Sequence, residues 1–220
     1  MHISKIASLF ILVIALSPLK AQISLGVSTS YSLHSTGKQS QAVALSQQRL
    51  SDQIQYLGQD NAISFGLSNY ASFDKLYFRT DIEYTSLQRE YAISSLVGTE
   101  GDIFRDRKTY TEQNHFIRIP ISAGLQIDRF QVGLGPVFNF TIDQDDNLVK
   151  NTNLSHSSRS FNTGFQYFLG YKLTRNIHLN VSLEQSLSNL GNDFIYNDKG
   201  AQLNIRPVTL RFGAAYFFKA

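Results

Sequence analysis

Residues 117–135 read IRIPISAGLQIDRFQVGLG. Ile117, Ile119, Ile121, Ala123, Leu125 and Ile127 alternate with Arg118, Ser122, Gly124 and Gln126. After Asp128-Arg129, Phe130, Val132 and Leu134 alternate with Gln131, Gly133 and Gly135. Successive side chains of a strand point to opposite sides of the pleat, so this period of two marks strands with one apolar and one polar face. Two such runs joined by two residues make a tight antiparallel hairpin.

The same signature extends in both directions. Ile23, Leu25, Val27, Tyr31 and Leu33 alternate with serines and Gly26; Ile63, Phe65, Leu67, Ala71 and Phe73 alternate with Ser64, Gly66, Ser68 and Ser72. Leu76, Phe78, Ile82 and Tyr84 oppose Tyr77, Arg79, Asp81, Glu83 and Thr85, with Asp74-Lys75 as the turn before them. Phe165, Tyr167, Leu169 and Tyr171 lead through Thr174-Arg175-Asn176 into Ile177, Leu179, Val181 and Leu183. Val208, Leu210, Phe212, Ala214, Tyr216 and Phe218 form the last apolar row. The count is eight strands. Tight turns near Asp74, Asp128 and Arg175 alternate with long polar connections at about 36–61, 91–113, 143–160 and 190–205.

A soluble sandwich or lipocalin-like barrel also alternates polar with apolar residues, but it turns its large apolar side chains inward. Here the polar face carries mainly Ser, Gly, Asn and Thr, sized for the narrow lumen of eight strands, and the Phe- and Tyr-rich face suits lipid. The expected fold is therefore all-β: an eight-stranded antiparallel up-and-down transmembrane β-barrel. Trp is absent, so Tyr171, Tyr216 and Phe218 are the candidate interfacial aromatics at the tight-turn end.

The first residues have a different character. Lys5 is the only charge before an apolar run over 6–16, which Ser17-Pro18-Leu19-Lys20-Ala21 closes. A membrane-spanning helix needs about 20 apolar residues, so 1–21 reads as a signal peptide cut after Ala21, with 22–220 as the barrel domain. Cysteine is absent, which excludes disulfides and a lipid-anchored cysteine. Removing Lys5 and Lys20 from the 20 Lys and Arg leaves 18 against 17 Asp and Glu, a balance that gives no reason to expect nucleic acid.

Seven charges fall on the polar, lumenal face: Arg79, Asp81, Glu83, Arg118, Lys172, Glu184 and Arg211. Glu83, Arg118, Glu184 and Arg211 lie at similar depth, which predicts one layer with Glu83 near Arg118 and Glu184 near Arg211. A charged conduit would use such residues. Mutual neutralisation uses them equally, and an unpaired buried charge costs several kcal/mol.

Catalytic candidates are sparse. His34, His115, His156 and His178 show no metal-ligand spacing. Ser155-His156-Ser157 has the residue types of a lipid A deacylase, although adjacency in sequence does not make a triad. Asp143, Asp145 and Asn147 open like an EF-hand, but Leu148 and Leu154 occupy its glycine and glutamate positions, which excludes that loop. Over 41–58, Leu50, Ile54 and Leu57 share a helical stripe, leaving a short surface helix and an irregular loop both open.

Phe116-Ile117-Arg118-Ile119-Pro120-Ile121, Gly133-Leu134-Gly135-Pro136 and Glu184-Gln185-Ser186-Leu187-Ser188-Asn189-Leu190 occur in this order, with prolines inside two strands. On these motifs the chain resembles the PorT-like small outer-membrane β-barrel proteins. The resemblance implies an integral outer-membrane protein without a known enzymatic activity; no cofactor is expected, and the even strand count puts both termini in the periplasm. Its expected surroundings are outer-membrane lipid and lipopolysaccharide, the barrel assembly machinery, and envelope or secretion proteins. Phe218 is followed by Lys219-Ala220 where barrels of this kind often end on an aromatic residue.

Overall fold

The structure is a computed structural model that describes residues 22–35, 43–44, 53–99, 102–146, 154–157, 160–188, 192–196, 199–203 and 206–218. The expected signal peptide, residues 1–21, lies outside the described residues. In chain order the strands are β1 (Gln22–Ser35), β2 (Val43–Ala44), β3 (Gln53–Gln59), β4 (Ala62–Phe73), β5 (Leu76–Thr99), β6 (Asp102–Ile127) and β7 (Phe130–Asp146). They continue with β8 (Leu154–Ser157), β9 (Phe161–Lys172), β10 (Ile177–Ser186), β11 (Asn192–Tyr196), β12 (Lys199–Leu203) and β13 (Val208–Phe217).

Three tight turns organise the hairpins. Asp74 and Asp128 each take φ 53°, a left-handed conformation that Asp tolerates better than most non-glycine residues. Between β9 and β10, the Thr174 hydroxyl accepts hydrogen bonds from the backbone N–H of Asn176 at 3.2 Å and of Ile177 at 3.0 Å. The Asn176 side chain then donates to the Phe217 carbonyl at 2.7 Å, tying this turn to β13.

Eight strands pair antiparallel in the order β5-β4-β1-β13-β10-β9-β7-β6, and β6 pairs back with β5. Closure of first on last runs from Gly26↔Phe217 to Ser35↔Val208. The ring leaves no barrel edge, and Gln22 and Phe218 lie at the rim that carries the tight turns.

The outer face is apolar and bare. Leu25, Phe65, Leu67, Ile127 and Phe130 each keep more than 60 % of their surface exposed, which water would penalise over so continuous an area. On β6 the outward apolar row runs from Ile117 to Ile127. Eleven residues rising about 3.3 Å each, tilted by about 40°, give a belt roughly 25 Å tall, the height of the apolar band of a transmembrane barrel. The belt ends where Tyr84 stacks on His115, ring centroids 6.0 Å apart, with a 2.7 Å hydrogen bond between hydroxyl and Nδ1.

Above that level the structure corrects the expected loops. Over 91–113 the chain continues as a hairpin, with pairing from Thr85↔Phe116 up to Thr99↔Asp102. Both of its faces carry polar residues there, outward Gln88, Glu90 and Gln113 and inward Arg89 and Glu112, so no apolar stripe announces the strands. Neither a helix nor an irregular loop forms over 53–59: β3 lines up above β4 on the same flank of β5, with Ile54↔Ile93 and Tyr56↔Tyr91 and a register shift between Tyr56 and Gly58. Ile54 and Tyr56 are buried, which is the strand period rather than the helical one. The regions 143–160 and 190–205 also contain strands: β7 runs to Asp146, and β8, β11 and β12 form a separate three-stranded sheet.

Candidate functional site in the barrel interior

The inward residues stack in layers from the tight-turn rim upward. The first layer is aromatic, contrary to the expected lining of small polar residues. Tyr70 stacks on Tyr77 with centroids 6.1 Å apart, meets the edge of His178 at 5.2 Å and packs on Phe217 at 5.6 Å. Phe168 closes the ring against Tyr77 at 6.0 Å. The Tyr70 hydroxyl donates to Gln126 at 2.5 Å and accepts from Gln131 at 3.0 Å. Tyr77 fits because position 133 is glycine: a Cβ there would collide with the Tyr77 hydroxyl.

Lys172 belongs to this layer. Its Nζ lies 4.8 Å from the Tyr70 ring centroid, a cation–π contact, and no carboxylate pairs with it among the described residues.

The second layer is ionic. Arg118 donates to Glu83 at 2.8 Å and to Glu184 at 2.6 Å, and Arg211 donates to the same Glu83 oxygen at 2.9 Å. Arg79 pairs with Asp81 at 3.0 Å, and Ser68 donates to Asp81. Ser30 and Ser64 accept from Arg211 at 2.6 and 2.8 Å; Gln166 accepts from Arg118 at 3.5 Å and donates to Ser122 at 2.8 Å. Three arginines face three carboxylates, so the layer carries no net charge. Every one of these charged side chains is at most 12 % exposed.

Of the seven charges that sequence parity assigned to one face, Arg79, Asp81, Glu83, Arg118 and Arg211 are buried and Lys172 and Glu184 half-buried. Parity did not give their partners. Glu184 stands opposite Thr209 and diagonal to Arg211, yet the expected Glu184–Arg211 pair is replaced by Glu184–Arg118 across the lumen and Arg211–Glu83 on the other side. A barrel this narrow brings non-neighbouring strands within side-chain reach, and no strand-by-strand reading contains that distance.

Above the ionic layer is a cavity of about 70 Å³, bordered by Arg89, Arg118, Arg211, His34, Asn139 and Thr209. His34 Nδ1 is shared between Gln59 at 2.6 Å and Thr209 at 2.9 Å. Beyond the belt, Arg89 lies 3.6 Å from Glu112, which accepts from the Tyr91 hydroxyl at 2.7 Å. Tyr56 packs on Tyr91 at 5.6 Å, and burial pushes its hydroxyl up to about 12, so it stays a neutral donor. Glu112 fell in the expected connection over 91–113 and Arg89 between it and the strand read up to Thr85; their parity with Arg118 and Glu83 was the available signal.

No catalytic constellation forms among the described residues. His34, His115 and His178 contact Gln59 and Thr209, Tyr84, and Tyr70 and Phe217, respectively. His156 stands on β8 opposite Phe194. Asp143 and Asp145 are paired strand residues of β7, and Asn147 lies outside the described residues. No cluster of three or more His, Asp or Glu suited to a metal ion occurs among the described residues.

No protein-family model matches the chain, and no curated protein matches it. Solved structures do. Outer membrane protein AlkL, determined in lipid bilayers, is 14 % identical, with 90 % of this chain and 92 % of that one aligned at a TM-score of 0.53. OprG from Pseudomonas aeruginosa is 15 % identical over 91 % and 96 % with a TM-score of 0.45; outer membrane protein W of E. coli is 15 % identical over 91 % and 100 % with a TM-score of 0.41. The likeness to AlkL is one of fold, that of a small outer-membrane β-barrel.

Proposed function

We propose that this chain is an integral outer-membrane protein of the PorT-like kind, with a structural or interaction role and no catalysis. The observation that carries the reading is the neutral ionic layer resting on the aromatic one, which fills the lumen with side chains bonded to each other rather than to a passing solute. Charges that satisfy one another inside a narrow barrel brace its walls. The wall that β3, β5 and β6 raise above the belt supplies the surface for envelope or secretion partners. Both ends of the barrel then face the periplasm, the long connections face outward, and lipid, lipopolysaccharide and the assembly machinery are the expected surroundings.

A second reading, a narrow passage for small solutes, draws support from the cavity under Arg89 and its charged border of Arg89, Arg118, Arg211 and Glu184. In that reading the ionic layer is a gate.

Site-specific photo-crosslinking in cells tests the first reading. Probes at Glu90 and Gln113, on the raised wall, should capture defined envelope proteins, whereas probes at Leu67 and Leu134 in the belt should not. Lipid A from a deletion strain should be unchanged by mass spectrometry. An altered acyl pattern would overturn the non-catalytic role.

A further inference from the structure

The outer wall is not uniformly convex. Across β7, β9, β10 and β13 two outward rows run side by side: Phe130–Tyr171–Leu179–Ala214 and Val132–Leu169–Val181–Phe212. Small residues open a slot between them. Ala214 ends one row, so no large side chain closes the slot at that corner, while Gly170 and Gly213 turn toward the lumen and contribute only backbone to its floor. The slot has a volume of about 510 Å³ and an almost wholly apolar surface, rimmed by the Phe130–Tyr171 ring pair at 5.0 Å and by Phe212.

Its tight-turn end is cationic. Arg129 immediately precedes Phe130, and its carbonyl accepts the Lys172 N–H at 2.8 Å, which fixes that turn beside the end of β9. Arg175 lies in the next turn, three residues beyond Lys172. Both arginines are exposed, and neither forms an ion pair among the described residues. An apolar slot at hydrocarbon depth, with two neighbouring turns at its rim end that each carry an exposed arginine, has the charge and polarity profile of one ligand class.

We infer that this face is a binding site for an anionic phospholipid, with an acyl chain in the slot and the phosphate between Arg129 and Arg175. The inference rests on the barrel lying in a bilayer. It adds a specific lipid, in the leaflet at the tight-turn side, to what a generic apolar belt would bind. Guanidinium groups hold phosphate oxygens in paired hydrogen bonds, so a zwitterionic headgroup, whose own ammonium competes, is the weaker ligand.

Native mass spectrometry tests this on the full mature chain refolded into vesicles of equal phosphatidylglycerol and phosphatidylcholine, then released in mild detergent. Wild type should retain phosphatidylglycerol over phosphatidylcholine by about thirtyfold, the scale that two interfacial cations supply. The pair Arg129→Gln and Arg175→Gln should bring the two lipids to parity, and Val181→Phe, which fills the slot, should lower retention of both. Heat-modifiable mobility reports folding for each variant. Parity in folded wild type, or unchanged preference in the folded double variant, overturns the site alone. Wild type that never reaches the folded mobility in vesicles overturns the membrane barrel and the site with it.

Discussion

Arg118 on β6 reaches across the lumen to Glu184 on β10, 2.6 Å from Nη2 to Oε2, although β7 and β9 stand between those strands in the ring. Its Nη1 holds Glu83 on adjacent β5 at 2.8 Å. One guanidinium therefore braces two walls and pairs with two buried carboxylates, the second of which, Glu83, it shares with Arg211. Arg118→Met should destabilise the barrel by about 3–5 kcal/mol, because a buried charge stripped of its partner costs more than the pair contributed. Adding Glu184→Gln should restore part of that loss. Urea unfolding of the refolded protein in lipid reads both, and an unchanged midpoint for Arg118→Met would contradict the bracing role.

The aromatic layer makes a prediction of opposite sign. The Tyr77 hydroxyl is buried without a hydrogen-bond partner among the described residues, and it lies over Gly133. Tyr77→Phe removes an unpaired polar atom and should stabilise by about 1 kcal/mol. Gly133→Ala drives a methyl group into that hydroxyl and should cost about 1–3 kcal/mol. Combining them should recover part of the cost, since the Ala123 carbonyl also crowds the added Cβ. Strictly additive effects in this double-mutant cycle would count against the contact.

Belt depth can be read with tryptophan, because the chain has none. Single Leu67→Trp and Leu134→Trp variants should be strongly quenched by lipids brominated in their acyl chains. Gln88→Trp, on the wall above Tyr84 and His115, should not. Equal quenching at all three positions would mean that the raised wall is immersed and the belt misplaced.

The barrel was legible because two signals of different origin agree. Alternation names the apolar face strand by strand, and Asp74 and Asp128 mark turns whose left-handed φ suits Asp. The raised wall was hidden because Arg89, Glu90, Glu112 and Gln113 put polar residues on both faces, so a strand there has no amphipathic contrast. Leu50, Ile54 and Leu57 satisfy a helical spacing while Ile54 and Tyr56 satisfy a strand spacing; pairing with Ile93 and Tyr91, distant in sequence, decides between them. The interior followed the same division. Parity gives the face of Glu184, but its partner depends on how closely the barrel brings β6 to β10. The inward aromatics at Tyr70, Phe168 and Phe217 escaped notice for a related reason: single large residues in a small-residue row do not alter its period.

The central claim is that the lumen is closed by its own side chains, and recordings from purified, refolded protein in planar bilayers test it most directly. The account predicts no stable conductance level for wild type, even where heat-modifiable mobility shows folded protein in the membrane. Steady, ion-selective steps that recur with each insertion would contradict it and assign the ionic layer to a conducting path.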